Sequence, residues 1–153
     1  MRHGVRVGID VGKVRIGVAR SDSDGMIATP VATVARGAGD VAEIVRIAAE
    51  LEALEFIVGL PLALSGRHTA STGDAVGFAE VLAAASTTPV RMVDERLSTV
   101  SAARNLRASG RTAKRSRAVI DQAAAVIILQ HALDFERTGG NIPGAAVVPP
   151  AGP

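Results

Sequence analysis

The sequence contains no cysteine, tryptophan or tyrosine, and only three phenylalanines. The lack of cysteine excludes disulfide bonds, thiolate zinc sites and a cysteine nucleophile. With three histidines and no HExxH segment, a zinc hydrolase with histidine ligands is not expected. Because aromatic side chains are so few, we do not expect a protein that stacks single-stranded bases on aromatic platforms.

Long hydrophobic runs are also missing. The longest uninterrupted apolar run covers residues 123–129, far short of the roughly 18 residues that a membrane span needs. The N-terminal segment has no apolar stretch of signal-peptide length, so we expect a cytoplasmic protein without a membrane span. The 153 residues are 48% hydrophobic and 21% charged, which predicts one globular domain over residues 1–137. Residues 138–153 are rich in glycine and proline, which predicts a disordered tail.

Acidic residues are absent from residues 96–117, although the net charge of the chain is only +2. Seven positive side chains fall in this segment, and they are Arg96, Arg104, Arg107, Arg111, Lys114, Arg115 and Arg117. Most cations of the chain are arginines, whose planar fork suits phosphate. The segment indicates a polyanionic partner; the alternative is a solvated helix face.

The hydrophobic pattern predicts an alternation of strands and helices. Strands are expected at residues 5–9, 15–20, 27–34, 56–60 and 90–93, and helices at residues 40–55, 74–85, 98–109 and 116–137. The first three strands are joined by short turns and therefore form an antiparallel meander. The two later strands follow crossover helices and extend the sheet in parallel, which predicts a mixed five-stranded α/β fold with three layers.

Three carboxylates lie at positions in the predicted fold that suggest a functional site. Asp10 ends the first strand, and Glu95, preceded by Asp94, follows the last strand. Asp121 shares a face of an apolar helix with Ala125 at helical spacing. Ligands collect at the carboxyl ends of strands in open α/β sheets, and a buried carboxylate needs a cation, a hydrogen-bonded partner or a metal. Taken together, the three acids predict a shared acidic site.

Each acid also has a purely structural interpretation. Asp10 could form the turn before Gly12, Glu95 could cap a helix or pair with Arg96, and Asp121 could pair with an arginine. For a shared site, Mg²⁺ or Mn²⁺ is the expected ligand, since hard divalent cations prefer carboxylate oxygens. Paired metal ions of this kind serve phosphodiester cleavage. Glycosidases use paired carboxylates as well, but sugar sites usually offer aromatic faces, and this chain has few.

Four segments resemble the YqgF/RuvX family in their order and spacing. They read GIDVGKVRIGVARSD, IVGLPL, VDERLST and IDQAAAVIILQ, within residues 5–135. The resemblance implies an RNase H-like fold and a divalent metal held by carboxylates at Asp10, Glu95 and Asp121. It also implies maturation of the 5′ end of pre-16S rRNA or resolution of Holliday junctions. The loop after GLP departs from the family, reading LALSGRHTAS where an MDG-like stretch is usual.

The leading interpretation is a metal-dependent endonuclease that acts on structured nucleic acid. Lys13 and Arg15, together with the basic residues of 96–117, are expected to contact phosphates. The alternative is a non-catalytic RNA- or DNA-binding factor of ribosome biogenesis or transcription that uses the same basic surface. RNA and DNA substrates both stay open, because phosphate contacts do not distinguish them. A four-way junction cut symmetrically would call for a two-fold homodimer.

Overall fold

The computed structural model describes residues 1–97 and 114–149, with only the backbone described at residues 97 and 114–121. The strands are β1 (Arg6–Val11), β2 (Arg15–Ser21), β3 (Ala28–Ala35), β4 (Glu55–Leu60), β5 (Val90–Asp94) and β6 (Ala145–Ala146). The α-helices of the described part are α1 (Asp40–Glu50), α2 (Ala70–Ala85) and α3 (Lys114–Gly139). A single 3₁₀ turn, Glu95–Leu97, follows β5. Within the described part, no helix is long and apolar enough to cross a membrane.

The strands form one mixed sheet in the order β3-β2-β1-β4-β5-β6. β1, β2 and β3 are antiparallel neighbours, whereas β4 pairs in parallel with β1, and β5 pairs in parallel with β4. This arrangement confirms the predicted antiparallel meander with two parallel strands added. Because β1, β4 and β5 run in the same direction, their carboxyl ends lie at one end of the sheet, called here the upper end.

Helices cover both faces of the sheet and create two apolar cores. On one face, α1 and α2 place Ile44, Phe78 and Leu82 against alternate residues of the strands. On the other face, α3 packs Leu129 and Leu133 against the remaining strand residues. The central strand β4 is buried on both faces, which is why it reads as a continuous apolar run.

The chain after α3 differs from the sequence prediction. A sixth strand, β6, pairs antiparallel with β5, whereas the sequence predicted five strands. Arg91 holds the segment before this strand, because its Nε donates to the carbonyl oxygen of Pro143 at 2.7 Å and its Nη2 to that of Gly144 at 2.6 Å. The local sequence does not reveal this strand, because these hydrogen bonds come from a distant part of the chain.

Two helix boundaries also differ from the prediction. α1 ends at Glu50 instead of 55, since Glu52 has a left-handed φ of 51° and the chain then enters β4. α2 begins at Ala70 instead of 74, because Thr69 caps the helix and exchanges hydrogen bonds with Thr72. The helix predicted at 98–109 lies outside the described residues.

Candidate active site

Asp10 and Glu95 are both buried at the upper end of the sheet. Asp10 lies near the end of β1 with 1% of its surface exposed, and Glu95 directly follows β5 with 6% exposed. Alternation along β1 assigns Asp10 to the face under α3, because a Cβ at Gly8 would contact Leu129 and the carbonyl oxygen of Ala125, both on α3. Asp10 and Glu95 are called the acid pair below.

Gly59 of β4 lies between the strands that carry the acid pair. It is paired with Val93 of β5 and follows Val58, the partner of Ile9 in β1. A Cβ at Gly59 would overlap the Oε1 atom of Glu95 and lie 2.7 Å from Cδ1 of Ile128. Glycine at this position therefore leaves the space that the Glu95 carboxylate occupies.

Hydrogen bonds between α3 and the sheet fix the position of the helix along the strands. Gln122 donates from Nε2 to Oγ1 of Thr33 at 2.9 Å, and Gln130 accepts from the backbone N–H of Ala28 at 2.9 Å. In the sheet register, Thr33 pairs with Gly17, which in turn pairs with Asp10. The backbone of residue 121 therefore lies at the level of Asp10, although its side chain is outside the described part.

The residues of this end are suited to a hard divalent cation. The acid pair supplies carboxylate oxygens, the donors that Mg²⁺ and Mn²⁺ prefer, and Gly59 accommodates one of these carboxylates where any side chain would collide with it. Within residues 1–97 and 114–149, the described side chains include no group of three acids or histidines that could hold a metal ion. The third predicted ligand, Asp121, has its side chain outside that part.

Arg96 contacts the neighbouring acid Asp94 and the loop after β4. Its Nη2 lies 2.6 Å from Oδ2 of Asp94, and its Nη1 donates to the carbonyl oxygen of Leu64 at 3.3 Å. The guanidinium hydrogen-bonds to Asp94 and holds the pKa of that carboxyl below its ordinary value. The Arg96 side chain keeps 33% of its surface exposed, so a phosphate contact stays a prediction.

Of the other residues predicted to contact phosphate, the structure describes the side chains of some and not of the rest. Lys13 is exposed in the turn between β1 and β2, and Arg15 is half-buried at the start of β2. Arg104, Arg107 and Arg111 lie outside the described residues, as do the side chains of Lys114, Arg115 and Arg117 at the start of α3. The structure thus places the turn with Lys13 at the same end of the sheet as the acid pair.

A second set of buried charges lies at the opposite, lower end of the sheet. Arg2 contacts Oε1 of Glu55 at 2.7 Å and Oε1 of Glu136 at 2.6 Å, and Arg6 contacts Oε2 of Glu136 at 2.9 Å. These four residues are called the ion-pair cluster. Local sequence patterns do not reveal them, because Glu136 is more than 100 residues from either arginine. A polar Arg6 inside an apolar strand run was the available signal.

Comparison with known proteins identifies the family of this chain. The profile of a family described as "RuvX: Holliday junction resolvase" matches residues 4–135. The chain belongs to this family. The matched range includes the acid pair and residue 121, so the resemblance seen in the sequence motifs is confirmed.

Curated relatives are similar to this chain over nearly its full length. A protein of Clavibacter michiganensis subsp. michiganensis, named "Putative pre-16S rRNA nuclease", is 62% identical over 150 residues, covering 96% of this chain and 93% of its own. A protein of Leifsonia xyli subsp. xyli with the same name is 62% identical over 156 residues, covering both chains completely. The chain is therefore similar over nearly its whole length to proteins that are named as pre-16S rRNA nucleases.

Solved structures support the fold. Thermus thermophilus RuvC in complex with a Holliday junction substrate superposes with a TM-score of 0.56 at 20% identity, covering 94% of this chain and 99% of that one. A second RuvC structure from the same organism gives a TM-score of 0.54 at 19% identity. The predicted RNase H-like α/β fold is confirmed, with six strands among the described residues in place of the predicted five.

Proposed function

We propose that this RuvX chain is a divalent-metal-dependent endonuclease in which Asp10, Glu95 and Asp121 hold Mg²⁺ or Mn²⁺. One observation carries the proposal. Two carboxylates from separate strands, Asp10 at 1% and Glu95 at 6% exposure, are buried at the carboxyl end of the sheet on either side of Gly59. A fold that buries two acids here, with a glycine that makes room for one of them, supports a ligand role.

The protein's own part in the reaction is binding and orientation. The acid pair is fixed by the sheet, so its oxygens are held in place before a ligand arrives. Lys13 and the basic segment supply positive charge for the phosphate backbone, which two carboxylates would otherwise repel. A bound metal would supply activation of water and stabilisation of the leaving oxygen.

The substrate is proposed to be structured nucleic acid in the cytoplasm. The curated relatives are named for pre-16S rRNA, and the family description names the Holliday junction. The high identity to the relatives over the whole chain favours 5′-end processing of pre-16S rRNA. Cleavage of a four-way junction would in addition require a homodimer with two-fold symmetry.

The test is a cleavage assay with two labelled substrates, a pre-16S rRNA fragment that spans the 5′ end of 16S rRNA and a synthetic four-way DNA junction. Each is incubated with the protein and Mn²⁺, Mg²⁺ or EDTA. We expect cleavage of at least one substrate that depends on the metal. Asp10→Asn and Glu95→Gln should each lower the rate by about 100-fold or more, since each removes a charged oxygen donor without changing the shape.

The matched control is Glu80→Gln, which makes the same chemical change on α2, the helix on the other face of the sheet. This variant should cleave at the wild-type rate. Cleavage that persists after verified removal of metal would contradict the metal dependence. Tight binding of either substrate without any cleavage would favour the non-catalytic binding factor.

A further inference from the structure

Arg36, directly after β3, contacts the turn that links β1 to β2 at two points. Its backbone N–H donates to the carbonyl oxygen of Val14 at 2.9 Å. Its Nη1 donates to the carbonyl oxygen of Gly12 at 2.8 Å. Lys13 is the residue between these two acceptors, so one arginine fixes the backbone on both sides of Lys13.

The guanidinium of Arg36 contacts acidic side chains and an aromatic ring. Asp74 of α2 accepts from Nη1 at 2.9 Å and from Nη2 at 3.0 Å, a two-point contact. Asp40 lies 3.7 Å from Nε, and the ring of Phe78 lies 5.4 Å beneath the guanidinium carbon. The charge of Arg36 is thus matched by neighbouring acids, which leaves it poorly suited to bind phosphate directly.

The turn is short and begins just after Asp10. Gly12 donates its N–H to the carbonyl oxygen of Arg15 at 3.0 Å, and a Cβ at Gly12 would overlap that oxygen. Lys13 is the exposed cation of this turn, three residues from Asp10. A change in the backbone conformation of this turn would therefore change the position of the Lys13 ammonium relative to the acid pair.

We propose that Arg36, fixed by Asp74, is a positioning residue that holds the turn of Lys13 so that the lysine meets a substrate phosphate beside the acid pair. This inference rests on the proposed function, because it takes nucleic acid as the ligand. Neither the sequence motifs nor the family match assigns a role to Arg36. The same contacts could instead serve only to tie α2 to the sheet, and the two roles predict different results.

The experiment is a double-mutant cycle on Arg36→Gln and Lys13→Ala, with binding measured in EDTA over a series of salt concentrations and cleavage measured in Mn²⁺. The probes are the pre-16S rRNA fragment and the four-way junction. Loss of Lys13 should lower the slope of log K against log salt by about 0.9 on duplex or 0.7 on single strand. Arg36→Gln should lower the slope by a similar amount although Lys13 is still present.

Non-additivity is the decisive expectation. Each single substitution should weaken binding about threefold to tenfold, and the double variant should be no weaker than Lys13→Ala alone. The matched control is Arg46→Gln, which removes contacts with Glu43 and Glu50 on the exposed face of α1 and should bind and cleave as the wild type does.

Additive losses, or an unchanged salt slope in Arg36→Gln, would overturn the proposal and leave Arg36 a purely structural role. Should Arg36→Gln melt below the assay temperature, Arg36→Lys takes its place in the cycle, because it keeps the charge but not the planar fork. A wild type that binds but does not cleave would defeat the nuclease function alone, since the binding cycle still reports on Arg36. A wild type that binds neither probe would overturn both.

Discussion

The two ends of the sheet bury carboxylates in different ways. At the lower end, the ion-pair cluster matches Glu55 and Glu136 with two arginines at hydrogen-bond distance. At the upper end, Asp10 and Glu95 converge on the face under α3, separated by Gly59. All four acids are more than nine-tenths buried, so burial alone does not separate a structural charge from a functional one.

The ion-pair cluster at the lower end connects the sheet to α3. Arg6 is fully enclosed and also donates to the carbonyl oxygens of Arg2 and Gly4, at 2.9 Å and 2.7 Å. The cluster therefore joins the beginnings of β1 and β4 to the last turns of α3. Because α3 also carries residue 121 at its other end, the lower end fixes the helix whose upper part faces the candidate site.

The largest expected effect is at the lower end. Glu136→Gln leaves the buried Arg6 without its full counter-charge, which should cost about 3–5 kcal/mol in the free energy of unfolding. Urea unfolding of both proteins measures this difference. The control Glu50→Gln breaks an exposed contact with Arg46 and should change the free energy by less than about 1 kcal/mol. Equal effects of the two substitutions would contradict a stabilising role of the cluster.

The cluster also predicts how stability changes with pH. Burial alone would raise the pKa of Glu136, but hydrogen bonds from Arg2 and the charge of Arg6 outweigh it and hold the pKa below its ordinary value of about 4.5. A folded pKa below the unfolded one contributes stability that is present above the unfolded pKa and is lost as the pH falls through the folded value. The gap in unfolding free energy between wild type and Glu136→Gln should therefore shrink below about pH 4.5, measured by urea unfolding. A gap that widens on acidification would contradict this sign.

Gly59→Ala tests the upper end by steric displacement. The added methyl group would overlap Glu95 and press on Ile128, which should cost about 1–3 kcal/mol in unfolding free energy and remove metal-dependent cleavage. Gly77→Ala in α2 is the matched control, because a Cβ there meets nothing within 4 Å, and it should stabilise the helix slightly. Wild-type cleavage by Gly59→Ala would show that the position of the Glu95 carboxylate is unimportant.

The smallest effect is expected for Asp94, the neighbour of the acid pair. Asp94→Asn removes a partly exposed contact with Arg96, so unfolding free energy should change by less than about 1 kcal/mol. Metal-dependent cleavage should fall far less than in Glu95→Gln, if Glu95 is the ligand of the two. A loss in Asp94→Asn as large as in Glu95→Gln would include Asp94 in the candidate site.

Local patterns predicted most of the fold. The apolar run of β4 and the turn residues between β1, β2 and β3 identified the mixed sheet, and the positions of Asp10 and Glu95 at strand ends predicted a common edge. The alternation of side chains then explains why both acids share a face with Gly59. These features depend on neighbours within a few residues, which a sequence displays directly.

Features that depend on distant contacts were not predictable in the same way. Arg91 donates to the segment just before β6, which lies more than 50 residues later in the chain. The ion-pair cluster and the contacts of Arg36 likewise join residues far apart in the chain. The early start of α2 is the exception, since the pair Thr69 and Thr72 was visible in the sequence.

Thermal melting with and without Mn²⁺ compares the two ends of the sheet, since we propose that the upper acids hold a divalent metal whereas the lower ones contact arginines. A ligand that binds the folded state raises the melting temperature by mass action, equivalent to about 2.7 kcal/mol at 100 times its dissociation constant. We expect Mn²⁺ to raise the melting temperature clearly in the wild type and in the surface control Glu50→Gln, and little or not at all in Asp10→Asn and Glu95→Gln. An equal rise in all four proteins would contradict this proposal.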